Sequence, residues 1–254
     1  MSSAEEAALV AVKRLADSCT DILQTTLVSA ILHGSSTLDD FQPGASDLDL
    51  LLVVERGHTP SETDALVGTV RAAYLGPAGG IDLLVVTRRT AEVPADHPSR
   101  ELLVGRWPSP GEGLEVQPRD DHVPDVWPEL SMARAKGRSI LGPEPREVIG
   151  EVPVDRVRAN GIGWLTTWLE RTDDAENAVH MVLTACRIWR FAVDAEHSSK
   201  TGAARWALER DPSLTGVEQA VTARTTVNAA RITPREVDRV LRRVLRDVEE
   251  GAPD

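Results

Sequence analysis

The residues best suited to chemistry are His33-Gly34-Ser35-Ser36 and, after a polar loop, Ser46-Asp47-Leu48-Asp49-Leu50-Leu51-Leu52-Val53. On a strand, positions two apart project from the same face, so Asp47 and Asp49 share one side while Leu48, Leu50 and Leu52 take the other. Asp49 is then an acid in a strand otherwise fit for burial, which is costly unless a cation or hydrogen bonds compensate. Two carboxylates on one face suit a pair of Mg²⁺ ions bridging a triphosphate, because Mg²⁺ takes few protein ligands and fills its shell with phosphate and water. Gly34 lets the backbone approach phosphates closely, and Ser35 offers a hydroxyl and an N–H to them. Asp82, alone before Leu83-Leu84-Val85-Val86, is a third carboxylate that can hold the catalytic ion or take a proton from an attacking hydroxyl. Alone, Asp47 reads as a turn residue and Asp82 as the polar end of a strand. Together with the Gly-Ser turn they form one phosphate-and-metal constellation.

Such a set must be carried by a sheet. The order of elements supplies one: a helix over residues 4–24 with apolar residues at helical spacing, then short apolar strands over 27–32, 48–54 and 81–86. Thr59-Pro60-Ser61-Glu62 begins a helix, with Thr59 as cap and Glu62 closing a capping box, running to about residue 74. This order predicts an α+β domain with a small mixed sheet. Pro94, Pro98, Pro108, Pro110, Gly111, Gly113, Pro118 and Pro124 punctuate the next stretch. It reads as irregular, with one short element near residues 101–107, followed by a helix over 127–140. Beyond Pro153 only helices are expected, over 155–170, 174–195, 200–209, 214–230 and 234–248. The division is therefore residues 1–150 for the sheet domain and 151–254 for a helical bundle domain, with no internal repeat.

Composition narrows the classes of function. The 254 residues carry 40 acidic and 28 basic side chains, a net charge of −12, which disfavours a nucleic-acid binder held by phosphate contacts. It suits a cationic partner or magnesium-bound phosphates. No run approaches a membrane span, and the amino-terminal residues lack the basic start and apolar run of a signal peptide, so the cytoplasm is the expected location. Two cysteines, Cys19 and Cys186, build no disulfide framework.

The predicted helix over 174–195 is apolar nearly all round, with Val179, Val182, Leu183, Cys186, Trp189 and Val193 on one face. Yet Asp173, Asn177, His180, Thr184 and Arg187 make a narrow polar stripe. A buried helix keeps such a stripe where it lines a wet cleft or an internal polar network. Asp173 with Glu176 reads equally as a helix-capping pair, and His180 as a satisfied core histidine. Trp164, Trp168, Trp189 and Trp206 read as packing.

Gly34-Ser35 followed by Asp47-x-Asp49 resembles the signature of the DNA polymerase beta-type nucleotidyltransferases. Four later segments, at Arg100–Trp107, Lys136–Pro143, Val182–Trp189 and Ala204–Arg210, resemble in this order the aminoglycoside (3'')(9) adenylyltransferases. The resemblance covers nearly the whole chain. It implies transfer of AMP from ATP to the streptomycin 3'' and spectinomycin 9 hydroxyls, with two Mg²⁺ ions held by Asp47, Asp49 and Asp82. Gly34, Ser35, Ser46, Arg187 and Lys200 are then nucleotide-binding, and Trp107, Asp173, Asn177 and His180 substrate-binding. Two departures matter. Asn177 stands where relatives carry an acid, and Asp82 where they carry glutamate as base, so Asp82 is either a base or chiefly a metal ligand. The expectation is a monomeric resistance enzyme that takes a cationic antibiotic and ATP, with no nucleic-acid or membrane partner. The alternatives are adenylylation of another small molecule or of a protein, and a non-catalytic nucleotide-binding, antitoxin-like partner.

Overall fold

The computed structural model describes residues 2–93, 97–107, 113–226 and 230–251. Pro94, Pro108, Pro110 and Gly111, and part of the helix expected over 214–230, lie outside them. The chain divides into two compact units, Met1–Val152 and Pro153–Asp254.

The first unit is a six-stranded mixed sheet with helices on both faces, so the α+β class holds. Helix α1 (Ser3–Leu23) is followed by β1 (Leu27–His33), a single 3-10 turn (Gly34–Thr37) and β2 (Asp47–Val54). Helix α2 (Pro60–Ala72) then crosses over to β3 (Gly80–Thr87), after which come α3 (Arg88–Glu92), β4 (Leu102–Arg106), β5 (Leu114–Gln117), α4 (Val126–Lys136), β6 (Arg138–Leu141) and α5 (Pro145–Val148). Strand order is β5-β4-β3-β2-β1-β6. Only β2 and β3 run parallel, as a strand–helix–strand crossover requires; the other pairs are antiparallel. Thr59 caps α2 as its sequence predicts, its hydroxyl accepting from Glu62 N–H while the Glu62 carboxylate accepts from Thr59 N–H.

Period-two alternation sorts the strands into two buried faces. Ala30, Leu32, Leu48, Leu50, Leu52, Leu83 and Val85 pack with α1 and α2. Ile31, Leu51, Val53, Leu84 and Val86 pack with Val126, Leu130 and Ala133 of α4 and with Val148 and Ile149. Asp49 and Asp82 have the parity of the second face.

Several expectations are corrected. The helix expected over 127–140 stops at Lys136, because Gly137 is extended (φ −67°, ψ 160°) and the chain turns at once into β6 on the β1 edge. A Cβ at Gly137 would stand 2.3 Å from the Ala133 carbonyl oxygen and 2.8 Å from Ile31 Cγ2. Strand β5 emerges from the stretch read as irregular, and the short α3 and α5 were not expected.

The second unit is all helix: α6 (Val154–Leu169), α7 (Ala178–Asp194), α8 (Lys200–Arg210), α9 (Thr215–Thr225) and α10 (Pro234–Glu250). Helix α7 is central, with Met181, Val182, Leu183, Cys186 and Trp189 buried among its neighbours. It begins at Ala178 rather than near residue 174, so Asp173 is not on it. Val193 is exposed, not part of the apolar face, and Trp164 is 40% exposed rather than core. Cys19 and Cys186 are both free and buried.

Candidate active site

Sheet register brings the acids together. His33 of β1 pairs with Asp49 of β2, and Asp49 with Asp82 of β3, so the three lie in one row across adjacent strands and on one face. Asp47 sits two residues before Asp49 on that face. All three aspartates are partly buried. Burial, and then the negative charges of Asp49, Asp47, Glu129 and Glu115, push the Asp82 carboxyl up to about 8.

The turn after β1 is pressed against this row. Gly34 has φ +70°, and a Cβ there would stand 1.8 Å from Asp49 Oδ2. Only glycine satisfies both the left-handed backbone and the close approach. Gly34→Ala is expected to cost about 1 to 3 kcal/mol of stability, read as a lower urea midpoint. Adding Asp49→Ala should recover part of that loss, because it clears the clash. An unchanged midpoint in Gly34→Ala would contradict the contact.

Beside the turn, the Ser35 and Ser36 hydroxyl oxygens are buried without a hydrogen-bond partner among the described residues. Buried hydroxyls are ordinarily satisfied, so these two are poised for a ligand with acceptor oxygens. Ser46 differs: it is buried, and its hydroxyl accepts from Gln42 N–H at 2.9 Å, holding the loop before β2.

Crowded carboxylates suit a divalent cation, whose charge would relieve their repulsion. Among the described residues no group of three or more His, Cys, Asp or Glu side chains is arranged to hold a metal ion. Such a site fits Mg²⁺ if one or two aspartates hold it and nucleotide phosphates complete its shell.

Trp107 follows β4 and packs against two strand glycines. A Cβ at Gly80 would meet Trp107 Cδ1 at 2.3 Å and Asp47 Oδ1 at 2.5 Å, and one at Gly105 would meet the ring at 2.1 Å. The indole therefore lies over the sheet beside Asp47.

The residues predicted in the second unit fall into two groups. His180 is within electrostatic reach of both Arg187 and Lys200: the packing around it, and then the charges of Lys200 and Arg187, push its imidazole down to about 4. His180 still keeps an exposed edge, and Trp168 stands edge-on to its ring at 5.9 Å, with Trp164 at 5.5 Å from Trp168. Lys200 is the first residue of α8, a position whose helix dipole favours anions. Asp173 and Asn177 instead lie in the exposed approach to α7. Asn177 is the N-cap, and its N–H and Nδ2 donate to Asp174 Oδ1 and Oδ2 at 3.2 and 2.7 Å. These bonds hold the Asp174 carboxyl below the usual carboxylate range. The carboxylate engaged ahead of α7 is thus Asp174, not Asp173.

Sequence reasoning gave His33 no role of its own and overlooked Glu129 and Glu115. His33 is buried with Nδ1 3.6 Å from Glu129 Oε2; its parity with Ile31 was the available signal. Glu129 sits within a helix that showed only apolar spacing.

Residues 147–245 match the family model described as aminoglycoside adenylyltransferase, C-terminal domain. An aminoglycoside (3'')(9) adenylyltransferase of Klebsiella pneumoniae is 29% identical over 198 residues, 75% of this chain and 74% of that protein. A spectinomycin 9-adenylyltransferase of Staphylococcus aureus is 27% identical over 195 residues, 74% and 73% of the two chains. The solved spectinomycin adenyltransferase AAD(9) from Enterococcus faecialis, with ATP and spectinomycin, shares the fold at a TM-score of 0.77 and 19% identity, covering 94% of this chain and 98% of that one. The chain is thus similar to the aminoglycoside adenylyltransferases along most of its length, with residues 147–245 matching their C-terminal domain, and it is a nucleotidyltransferase enzyme.

Proposed function

We propose that this enzyme transfers AMP from ATP to a hydroxyl of a cationic aminoglycoside or aminocyclitol antibiotic, as the names of its relatives suggest. The observation that carries the reading is the row of Asp49 and Asp82 with Asp47 beside it, against which Gly34 is pressed, in the turn that also holds the buried, unpartnered Ser35 hydroxyl. Ser35 and the backbone of its turn hold the terminal phosphates. Asp47 and Asp49 would hold the Mg²⁺, whose charge would favour the deprotonated form of Asp82 and leave it a base. When bound, the metal neutralises the triphosphate and the leaving group. The substrate hydroxyl oxygen bonds to the α-phosphorus, the bond from that phosphorus to the bridging oxygen breaks, and pyrophosphate departs. Asp82 orients the hydroxyl and accepts its proton. Most of the acceleration is positioning and electrostatics. Arg187 and Lys200 add positive charge for the phosphates, and Trp107, Asp173, Asn177 and His180 serve the drug.

The test is mass spectrometry of streptomycin and spectinomycin after incubation with enzyme, ATP and Mg²⁺. A gain of one AMP on either drug is expected. Release of pyrophosphate with neither drug modified would overturn the assignment of substrate.

Asp173 offers a cleaner probe of specificity than the packed Trp107, being exposed and outside α7. Streptomycin carries two guanidinium groups and gains more from a carboxylate. Asp173→Asn should lower kcat/KM for streptomycin about tenfold, near the lower bound for one charge-assisted hydrogen bond, and leave spectinomycin nearly unchanged. An equal fall with both drugs would deny Asp173 this role.

A further inference from the structure

The row of paired residues extends beyond the aspartates. Asp82 pairs with Gly105 of β4, and Gly105 with Glu115 of β5. Glu115 therefore emerges on the same face as Asp82, two strands and roughly 10 Å away. Between them the sheet offers no side chain, because the intervening residue is glycine. The Trp107 ring fills that space, lying 2.1 Å from where a Gly105 Cβ would be. The same ring extends over Gly80 to the Asp47 carboxylate. Glu115 is exposed. Its Oε1 accepts from the amide of Gln117, the next residue on its face, which orients the carboxylate without neutralising it. The cation of β4, Arg106, is directed elsewhere, its guanidinium donating to the Arg71 and Ala73 carbonyls.

We infer that Glu115 is a specificity-determining residue of the acceptor site: its carboxylate and the Trp107 indole form a seat for a guanidinium or ammonium group, while Asp82 addresses the reacting hydroxyl. An aromatic face beside a carboxylate is the arrangement that favours such cations over neutral acceptors. The inference rests on the reading of the acceptor as a cationic antibiotic. It differs from the bland role of an edge-strand acid, which only keeps β5 from pairing with another chain.

The experiment compares wild type with Glu115→Gln and Glu115→Asp, using streptomycin and spectinomycin in steady-state kinetics and streptomycin alone in calorimetry. Glu115→Gln is expected to raise KM for streptomycin about 5- to 20-fold, a range set by a partly solvated charge-assisted contact. The kcat and the KM for ATP should stay close to wild type, and spectinomycin should respond less. Glu115→Asp should recover part of the loss. Added salt should raise KM more steeply in wild type than in Glu115→Gln. An unchanged streptomycin KM in Glu115→Gln, with active wild type, overturns this inference alone. If wild type modifies neither drug, the proposed function falls. Calorimetry then still reads the seat: weaker streptomycin binding by Glu115→Gln supports it, and equal or absent binding overturns it.

Discussion

Asp49→Asn should lower kcat for AMP transfer by about a thousandfold, the scale on which preorganised charge acts in a reaction centre. Asn preserves shape and hydrogen-bonding capacity, so the fold should persist. Removal of one negative charge from this crowded cluster should leave the melting temperature equal or slightly raised. The residual reaction should need more Mg²⁺ than wild type does. Asp47→Asn should behave alike, since Asp47 shares the face of Asp49 and pairs directly with Gly80 under the Trp107 ring. Near-normal turnover in either variant, with unchanged metal dependence, would refute the metal role of that residue.

Asp82→Asn should separate activity from stability. Folded Asp82 keeps its proton up to about 8, whereas an aspartate ordinarily loses it near 3.8. Between those values the folded chain binds a proton that the unfolded chain has released. The stability contributed by Asp82 is thus fully present below about pH 4 and is lost as pH rises through about 8, at no more than about 1.4 kcal/mol per pH unit. Asparagine has no such titration. The variant should therefore lose about a thousandfold in turnover, yet melt several degrees above wild type at about pH 8 and match it at acidic pH. Melting curves across this range, without metal or nucleotide, measure the difference. Parallel curves for the two proteins would show that Asp82 does not carry the raised pKa.

The acids were legible because each violates its surroundings: Asp49 interrupts a leucine-rich strand, and Asp82 opens a run of four apolar residues. Helix α2 was equally legible, since its cap and capping box are local chemistry. What local chemistry does not encode is pairing between distant strands. His33 and Glu115 join the row only through the register of β1 with β2 and of β4 with β5. Strand β6 was hidden for a related reason. Leu130, Ala133 and Ile140 continue a helical spacing through Lys136-Gly137-Arg138, and contact of Gly137 with Ile31 decides that the chain turns. Asp173 was drawn onto α7 because the stripe of polar residues kept period beyond the helix; the bonds from Asn177 to Asp174 start the helix later.

The parallel pairing of β2 with β3 also bears on how this enzyme can change over evolution. Asp49 and Asp82 are neighbours in space, joined by a crossover that carries no residue of the row. Insertions in the exposed turns flanking α2 would lengthen the chain without moving either carboxylate. A deletion of one residue inside β3 would be lethal to the chemistry, because it would send Asp82 through the sheet to the opposite face. Length variation among homologues should therefore collect between residues 55 and 79, while the spacing of Asp82 from Val86 stays fixed.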